Sequence, residues 1–282
     1  MENSYFIFSD VDGTLFSHEQ CGIPRKSLDA IQKARENGHK FFISSGRGKH
    51  MIDYKDYKFD IDGFILCNGS HIILNGNDFY MDTIDGNQLK DLLNLCIEHK
   101  IGFLLEGIYE NYLYLDGFDI IRNFEKRCLN KMDMSDEDAD QSLASHHVVS
   151  FDLFKFDYEN YLKLNVYFKN KEAIDLVLNH LGNSLYAIYD PNDTATIKSI
   201  EIMAKGNTKA SGIDKIIEHY NHPLNQTMAL GDGKNDLEMV MHAGVGVAMG
   251  NANIILKENA DYVTLHIDED GFENAFIEYK II

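Results

Sequence analysis

Tyr5-Phe6-Ile7-Phe8-Ser9-Asp10-Val11-Asp12-Gly13-Thr14 is a short apolar run that ends in two carboxylates. Four or five consecutive apolar residues read as a strand buried on both faces, the mark of a parallel sheet. Two carboxylates at the end of such a strand are expensive to place without compensation. A divalent cation, or transfer of the charge to a substrate, would justify them. An Asx turn would explain one Asp but not both. Gly13 allows a tight turn whose N–H groups can hold an anion.

The same shape recurs outward along the chain. Phe41-Phe42-Ile43 leads into Ser44-Ser45-Gly46-Arg47, and Phe64-Ile65-Leu66-Cys67 into Asn68-Gly69. Met228-Ala229-Leu230 leads into Gly231-Asp232-Gly233, and Val245–Met249 into Gly250-Asn251. Helical stripes lie between, with Leu28, Ile31 and Ala34 in one and Ile213, Ile216, Ile217 and Tyr220 in another. Alternating strand and helix predicts an α/β, doubly wound, mainly parallel Rossmann-like sheet, with every polar cluster on the carboxyl edge where ligands bind.

The middle of the chain follows another pattern. Leu89, Leu92, Leu93 and Cys96 have helical spacing before Phe103-Leu104-Leu105, and Ile174, Val177 and Leu178 repeat it before Leu185–Ile188. Leu162–Phe168 alternates with period two, as a half-exposed antiparallel strand does. These features predict an inserted α+β domain at 83–190, entered through Asp85-Gly86 and left through Asp190–Asp193, inside a discontinuous core of 1–82 and 191–282. The acidic run Asp133–Asp140 reads as a solvated loop.

Composition narrows the functional classes. The chain has 26 Lys and Arg against 45 Asp and Glu, a formal net charge of −19. Such acidity argues against nucleic-acid and membrane partners, which need a basic footprint. Cys21, Cys67, Cys96 and Cys128 show neither a CxxC pair nor metal-ligand spacing. No apolar run could serve as a signal core or span a bilayer. A cytoplasmic setting is expected.

Chemistry concentrates in four clusters. The Asp10/Asp12 pair alone is also compatible with a glycosyltransferase metal motif, although there it follows several earlier strands. Gly231-Asp232-Gly233-Lys234-Asn235-Asp236 supplies late carboxylates; a helix-capping pair would account for Asn235 and Glu238 but not for Asp232 or Asp236. Ser45, Gly46 and Arg47 offer a hydroxyl, a backbone amide and a guanidinium to an anion. Lys209 falls in the first turn of a helix, where positive charge opposes the dipole unless it serves a bound anion.

In order along the chain, DVDGT at 10–14, SSGR at 44–47, KGNTK at 205–209 and GDGKND at 231–236 resemble the haloacid dehalogenase-like phosphatases. The likeness is closest to their Cof-type sugar-phosphatase branch, subclass IIB, and extends to ADYVT at 260–264 and Glu269-Asp270-Gly271. Val11 and Ser45 replace the commoner Leu and Thr. The resemblance implies that 83–190 is a substrate-selecting cap and that the substrate is a small phosphorylated metabolite, most readily a sugar phosphate. It implies Asp10 as nucleophile, through an aspartyl-phosphate, and Asp12 as general acid and base. Mg²⁺ would be held by Asp10, the Asp12 carbonyl and Asp232, with Asp236 in support. Ser45, Gly46, Arg47, Lys209 and Asn235 would face the phosphate. A phosphohexomutase shares these motifs, whereas a phospho-acceptor receiver domain lacks the insert and GDGKND. The oligomeric expectation is a monomer or weak dimer.

Overall fold

The computed structural model describes residues 4–52, 57, 59–115, 119–120, 122–123, 126, 134–145, 147–152, 156–168, 170–189 and 198–282. In chain order the elements begin with β1 (Phe6–Ser9), α1 (Arg25–Glu36), β2 (Lys40–Ser44), β3 (Gly63–Leu66), β4 (His71–Leu74) and β5 (Asn77–Met81). Then come α2 (Gly86–Glu98), β6 (Gly102–Gly107), β7 (Asn111–Tyr114), α3 (Asp136–Ser145), β8 (Val148–Ser150) and β9 (Tyr161–Phe168). They are followed by α4 (Lys171–His180), β10 (Leu185–Tyr189), β11 (Lys198–Ala204), α5 (Lys209–Tyr220) and β12 (Thr227–Gly231). The chain ends with α6 (Leu237–His242), β13 (Val245–Ala248), α7 (Ile254–Asn259), β14 (Tyr262–Val263) and α8 (Gly271–Glu278). No helix among the described residues is long and apolar enough to cross a membrane.

Two compact units divide the chain. The first, 1–47, 53–80 and 207–282, is built on an eight-stranded sheet in the order β14-β13-β12-β1-β2-β3-β4-β5. Its strands from β14 to β3 run parallel, and β4 returns antiparallel to β3. Both faces of the sheet are covered around β1 and β2. Phe6, Phe8 and Phe42 pack with Ile213 and Ile216 of α5 and Met239 of α6, while Phe41 on the other face meets Phe272 of α8. Burying each such side chain is worth about 1.5–3 kcal/mol relative to leaving it in water. This is the doubly wound, mainly parallel α/β fold that the apolar runs predict.

The second unit, 48–52 and 81–206, holds a six-stranded sheet in the order β10-β11-β9-β6-β7-β8, antiparallel except for β7 with β8. One face packs on α2 and α4 through Phe103, Leu105, Leu164, Val166, Ile200 and Ile202. Three features differ from the sequence expectations. The unit runs to 206 because β11, whose Lys198-Ser199-Ile200-Glu201 pattern is weakly apolar, pairs with both β9 and β10. Asp85-Gly86 is the start of α2, with the Asp85 carboxylate accepting from the Asn87 and Gln88 N–H groups; Asp190–Asp193 lies outside the described residues. β9 is not half-exposed: Tyr161 through Val166 are all buried. Lys163 and Asn165 tolerate this because Lys163 Nζ lies 2.8 Å and Asn165 Nδ2 2.7 Å from Glu106 Oε1.

The acidic run also departs from a loop. Asp136–Asp140 opens α3, where Ser135 and Asp138 exchange hydrogen bonds, Oγ to Oδ2 at 2.7 Å and N–H to Oγ at 3.1 Å. Acidic side chains suit the positive end of a helix. Asp133 and Cys128 lie outside the described residues; Cys21, Cys67 and Cys96 are in no disulfide.

Candidate active site

Register in the first unit's sheet brings the clusters to one level. Ser9 of β1 pairs with Leu230 of β12 on one side and Ile43 of β2 on the other. Asp10, Asp232 and Ser45 therefore leave three neighbouring strands side by side. Asp10 is held by its N–H, which donates to Leu230 O at 3.0 Å, and its side chain is buried.

Lys209 reaches this point from the other direction. The Thr208 side chain caps α5 and Ser211 answers it in a capping box, so the helix starts at Lys209. The lysine is 1% exposed, and its Nζ donates to Asp10 Oδ1 and to Asp236 Oδ1, each at 2.6 Å. Burial alone would discharge the ammonium, but the charges of Asp10 and Asp236 outweigh it and hold its pKa above the ordinary range.

Asp10, Asp232 and Asp236 each present a carboxylate oxygen, and these oxygens lie within 4.8 Å of one another. Burial, then the charge of Asp236, pushes the Asp10 carboxyl well above its usual range, with Lys209 opposing. Burial and Asp236 push Asp232 up to about 6, with the Thr14 hydrogen bond and Lys209 opposing. One buried ammonium among three carboxylates leaves negative charge uncompensated. An oxygen-only donor set of this charge fits a hard divalent cation such as Mg²⁺.

Neighbouring residues shape the loops. Gly13 has φ of +82°, and a Cβ there would sit 2.5 Å from Asp232 Oδ2, so only glycine lets the turn lie against that carboxylate. Thr14 Oγ1 donates to Asp232 Oδ1 at 2.9 Å. Asn251, just past β13, donates to Gly13 O at 2.7 Å. Sequence reasoning assigned no role to Thr14 or Asn251; their signal is a hydrogen-bonding side chain beside Gly13 and at the end of the next strand. The capping role that Asn235 and Glu238 could have filled falls to Asp236. Its Oδ2 accepts from the N–H groups of Asp232 at 3.0 Å and Gly233 at 2.8 Å, while Glu238 is exposed. With Lys209 on Oδ1, Asp236 secures the loop and the ammonium together.

The phosphate-facing candidates gather only in part. Ser45 Oγ accepts from the Arg47 N–H at 3.1 Å, which leaves the hydroxyl proton to donate. A methyl group at Gly46 would lie 3.1 Å from Asn68 Oδ1 and 3.6 Å from Asn235 Nδ2, so these loops meet. Gly69, with φ of +102°, approaches the Thr208 carbonyl so closely that a Cβ would stand 2.2 Å from its oxygen. Asp12 turns its carboxylate to Arg47, which grips it through Nε at 2.8 Å and Nη2 at 2.5 Å. Arg47 is thus engaged with Asp12, and the Asp12 side chain is not one of the three that converge.

A sequence profile of the haloacid dehalogenase-like hydrolases matches residues 7–276. The protein YkrA of Bacillus subtilis (strain 168) is 29% identical over 288 residues, with 99% of each chain covered. From the same organism, the 5-amino-6-(5-phospho-D-ribitylamino)uracil phosphatase YitU is 26% identical over 281 residues, covering 98% of this chain and 97% of that one. The solved structure of the HAD subclass IIB sugar phosphatase BT4131 superposes with a TM-score of 0.78 at 28% identity, covering 99% of this chain and 100% of that one. With the profile matched from β1 to α8, the chain belongs to the haloacid dehalogenase-like hydrolases and is a phosphatase of that superfamily.

Proposed function

We propose that the protein is a Mg²⁺-dependent phosphatase of small phosphorylated metabolites, sugar phosphates foremost, working through an aspartyl-phosphate on Asp10. The observation that carries this reading is Lys209, buried and bridging Asp10 and Asp236 at 2.6 Å beside Asp232. A phosphate dianion can approach such a cluster only if cations offset the carboxylates, and stabilising the transferring group is most of the catalysis. Asp10, the Asp12 carbonyl and Asp232 would hold Mg²⁺, supported by Asp236. Bound there, the ion would supply charge neutralisation at the phosphoryl oxygens.

In the proposed reaction an Asp10 oxygen attacks phosphorus and the ester O–P bond breaks. Asp12 gives a proton to the departing alcohol, then takes one from the water that attacks phosphorus and releases Asp10. Ser45, Lys209, Asn235 and the Gly46 amide hold the phosphoryl oxygens. The second unit, 48–52 and 81–206, is proposed as the substrate-selecting cap. A sugar phosphate is favoured by the likeness to BT4131. The proposal includes a cytoplasmic setting, which Cys21, Cys67 and Cys96, none of them in a disulfide, suit, and a monomer or weak dimer.

Metal removal tests the reading. Treatment with EDTA should lower phosphate release from p-nitrophenyl phosphate by on the order of 10³-fold, and millimolar Mg²⁺ should restore it. An unchanged rate in EDTA overturns the metal requirement. A panel of phosphorylated sugars, nucleotides and cofactors, compared by kcat/KM, should rank a sugar phosphate first; a nucleotide at the head of the panel overturns that part.

A further inference from the structure

Asp10 and Asp232 follow different strands of the first unit, β1 and β12, yet their carboxylate oxygens lie within 4.8 Å of each other. Like charges at that distance repel. Lys209 bonds Asp10 and Asp236; Asp232 is reached from a third loop, residues 250–253, just past β13. Asn253 donates to the Asp232 carbonyl twice, from its N–H and from Nδ2, each at 3.1 Å. Two residues earlier, Asn251 Nδ2 donates to Gly13 O at 2.7 Å. One short loop therefore holds both the turn that follows Asp10 and the turn that begins at Asp232.

This loop has fixed footing. The Gly250 N–H donates to Leu265 O at 2.9 Å, and Gly250 O accepts from Lys257 Nζ at 2.5 Å. Asn253 Oδ1 caps α7 by accepting from the Leu256 N–H at 2.9 Å. The Asn251 amide has one orientation: its Oδ1 accepts from the Ile267 N–H at 3.1 Å, so its donor end faces the Gly13 carbonyl. That carbonyl belongs to the peptide leading into Thr14, and Thr14 Oγ1 donates to Asp232 Oδ1 at 2.9 Å. Gly13 itself lies against the same carboxylate, as a Cβ there would stand 2.5 Å from Asp232 Oδ2. A shift of the Gly13–Thr14 peptide thus displaces the Asp232 carboxylate relative to Asp10.

We propose that Asn251 is a positioning residue for the metal: by fixing the Gly13–Thr14 peptide it holds the Asp232 carboxylate at the distance from Asp10 that a divalent cation needs. The proposal rests on the reading of Asp10 and Asp232 as holders of Mg²⁺. Asn251 orients ligands and is not one itself.

Asn251→Ala tests it through binding as well as turnover. Unfolding temperature is followed in rising MgCl₂ after EDTA has been removed, and the midpoint of the rise reports affinity for the folded protein. The midpoint should move to about tenfold higher Mg²⁺, the scale on which partners that orient metal ligands act. The Mg²⁺ activation constant for p-nitrophenyl phosphate should rise equally, with kcat at saturating Mg²⁺ within about twofold of the parent. Thr14→Val, which breaks the same link while leaving both Asn251 bonds, should raise the midpoint likewise, and the double variant no more than about twofold further. If Asn251→Ala is unfolded without metal, Thr14→Val alone carries the test. A lowered melting temperature with the parent's Mg²⁺ midpoint marks a merely structural role and overturns the proposal, as does a fully additive double variant. A parent protein that Mg²⁺ does not stabilise sinks the metal reading itself, whereas a parent and a folded variant that respond alike sink only the positioning role.

Discussion

Asp10→Asn should abolish phosphate release, lowering kcat on the order of 10⁴-fold or more, while melting at or above the temperature of the parent in EDTA. The two halves of this result have one cause. Asp10 is buried, and burial together with Asp236 raises its pKa, so the ionised form is disfavoured in the folded protein. The sign follows from linkage. An acid whose folded pKa lies above its unfolded value binds more protons when folded, so stability falls as pH rises through the unfolded value and on to the folded one. At neutral pH the ionised carboxylate is therefore a burden on the fold. The amide removes that burden, and its oxygen can still accept from Lys209 Nζ, which lies 2.6 Å from Asp10 Oδ1. It cannot form an acyl phosphate as a carboxylate does. Kinetics and thermal unfolding on the same preparation check both halves. Retained turnover sinks the nucleophile, and a marked loss of melting temperature sinks the electrostatic account. Trading stability for a strained, charged site is common in enzymes.

Some of this was legible in the residues and some was not, for identifiable reasons. Strands buried on both faces are apolar throughout, so β1, β2, β3, β12 and β13 declare themselves, and their C-terminal residues mark the site. Lys209 announced itself by standing where the helix dipole opposes it. Periodicity failed where a polar residue finds a buried partner far along the chain. Lys163 and Asn165 alternate with apolar residues as on a half-exposed strand, yet both are buried against Glu106, 57 or more positions earlier. The edge of the second unit was misplaced for a related reason, because β11 is read as sheet only through its pairing with β9 and β10. Side-chain direction was equally hidden. Nothing in SSGR says that Arg47 turns to Asp12, and nothing in GDGKND says that Asp236 closes its own loop.

Lys209→Met is expected to be as inactive as Asp10→Asn and, unlike it, unstable. Methionine nearly matches the volume of lysine, so packing around position 209 changes little. What changes is charge. Asp10 and Asp236 lose the ammonium that sits 2.6 Å from each and face one another in a buried site. Removing one partner of a buried ion pair costs about 3–5 kcal/mol, because the remaining charge is left uncompensated. For a unit of this size that lowers the unfolding transition by roughly 10 °C. Adding Asp10→Asn to Lys209→Met should recover part of the loss, since one of the two stranded carboxylates becomes neutral; activity should stay absent. Millimolar Mg²⁺ should also raise the melting temperature of Lys209→Met, as a cation binding the folded state stabilises it by mass action. A Lys209→Met protein as stable as the parent, or a double variant no more stable than the single one, would show that the lysine is held by packing rather than by its carboxylates.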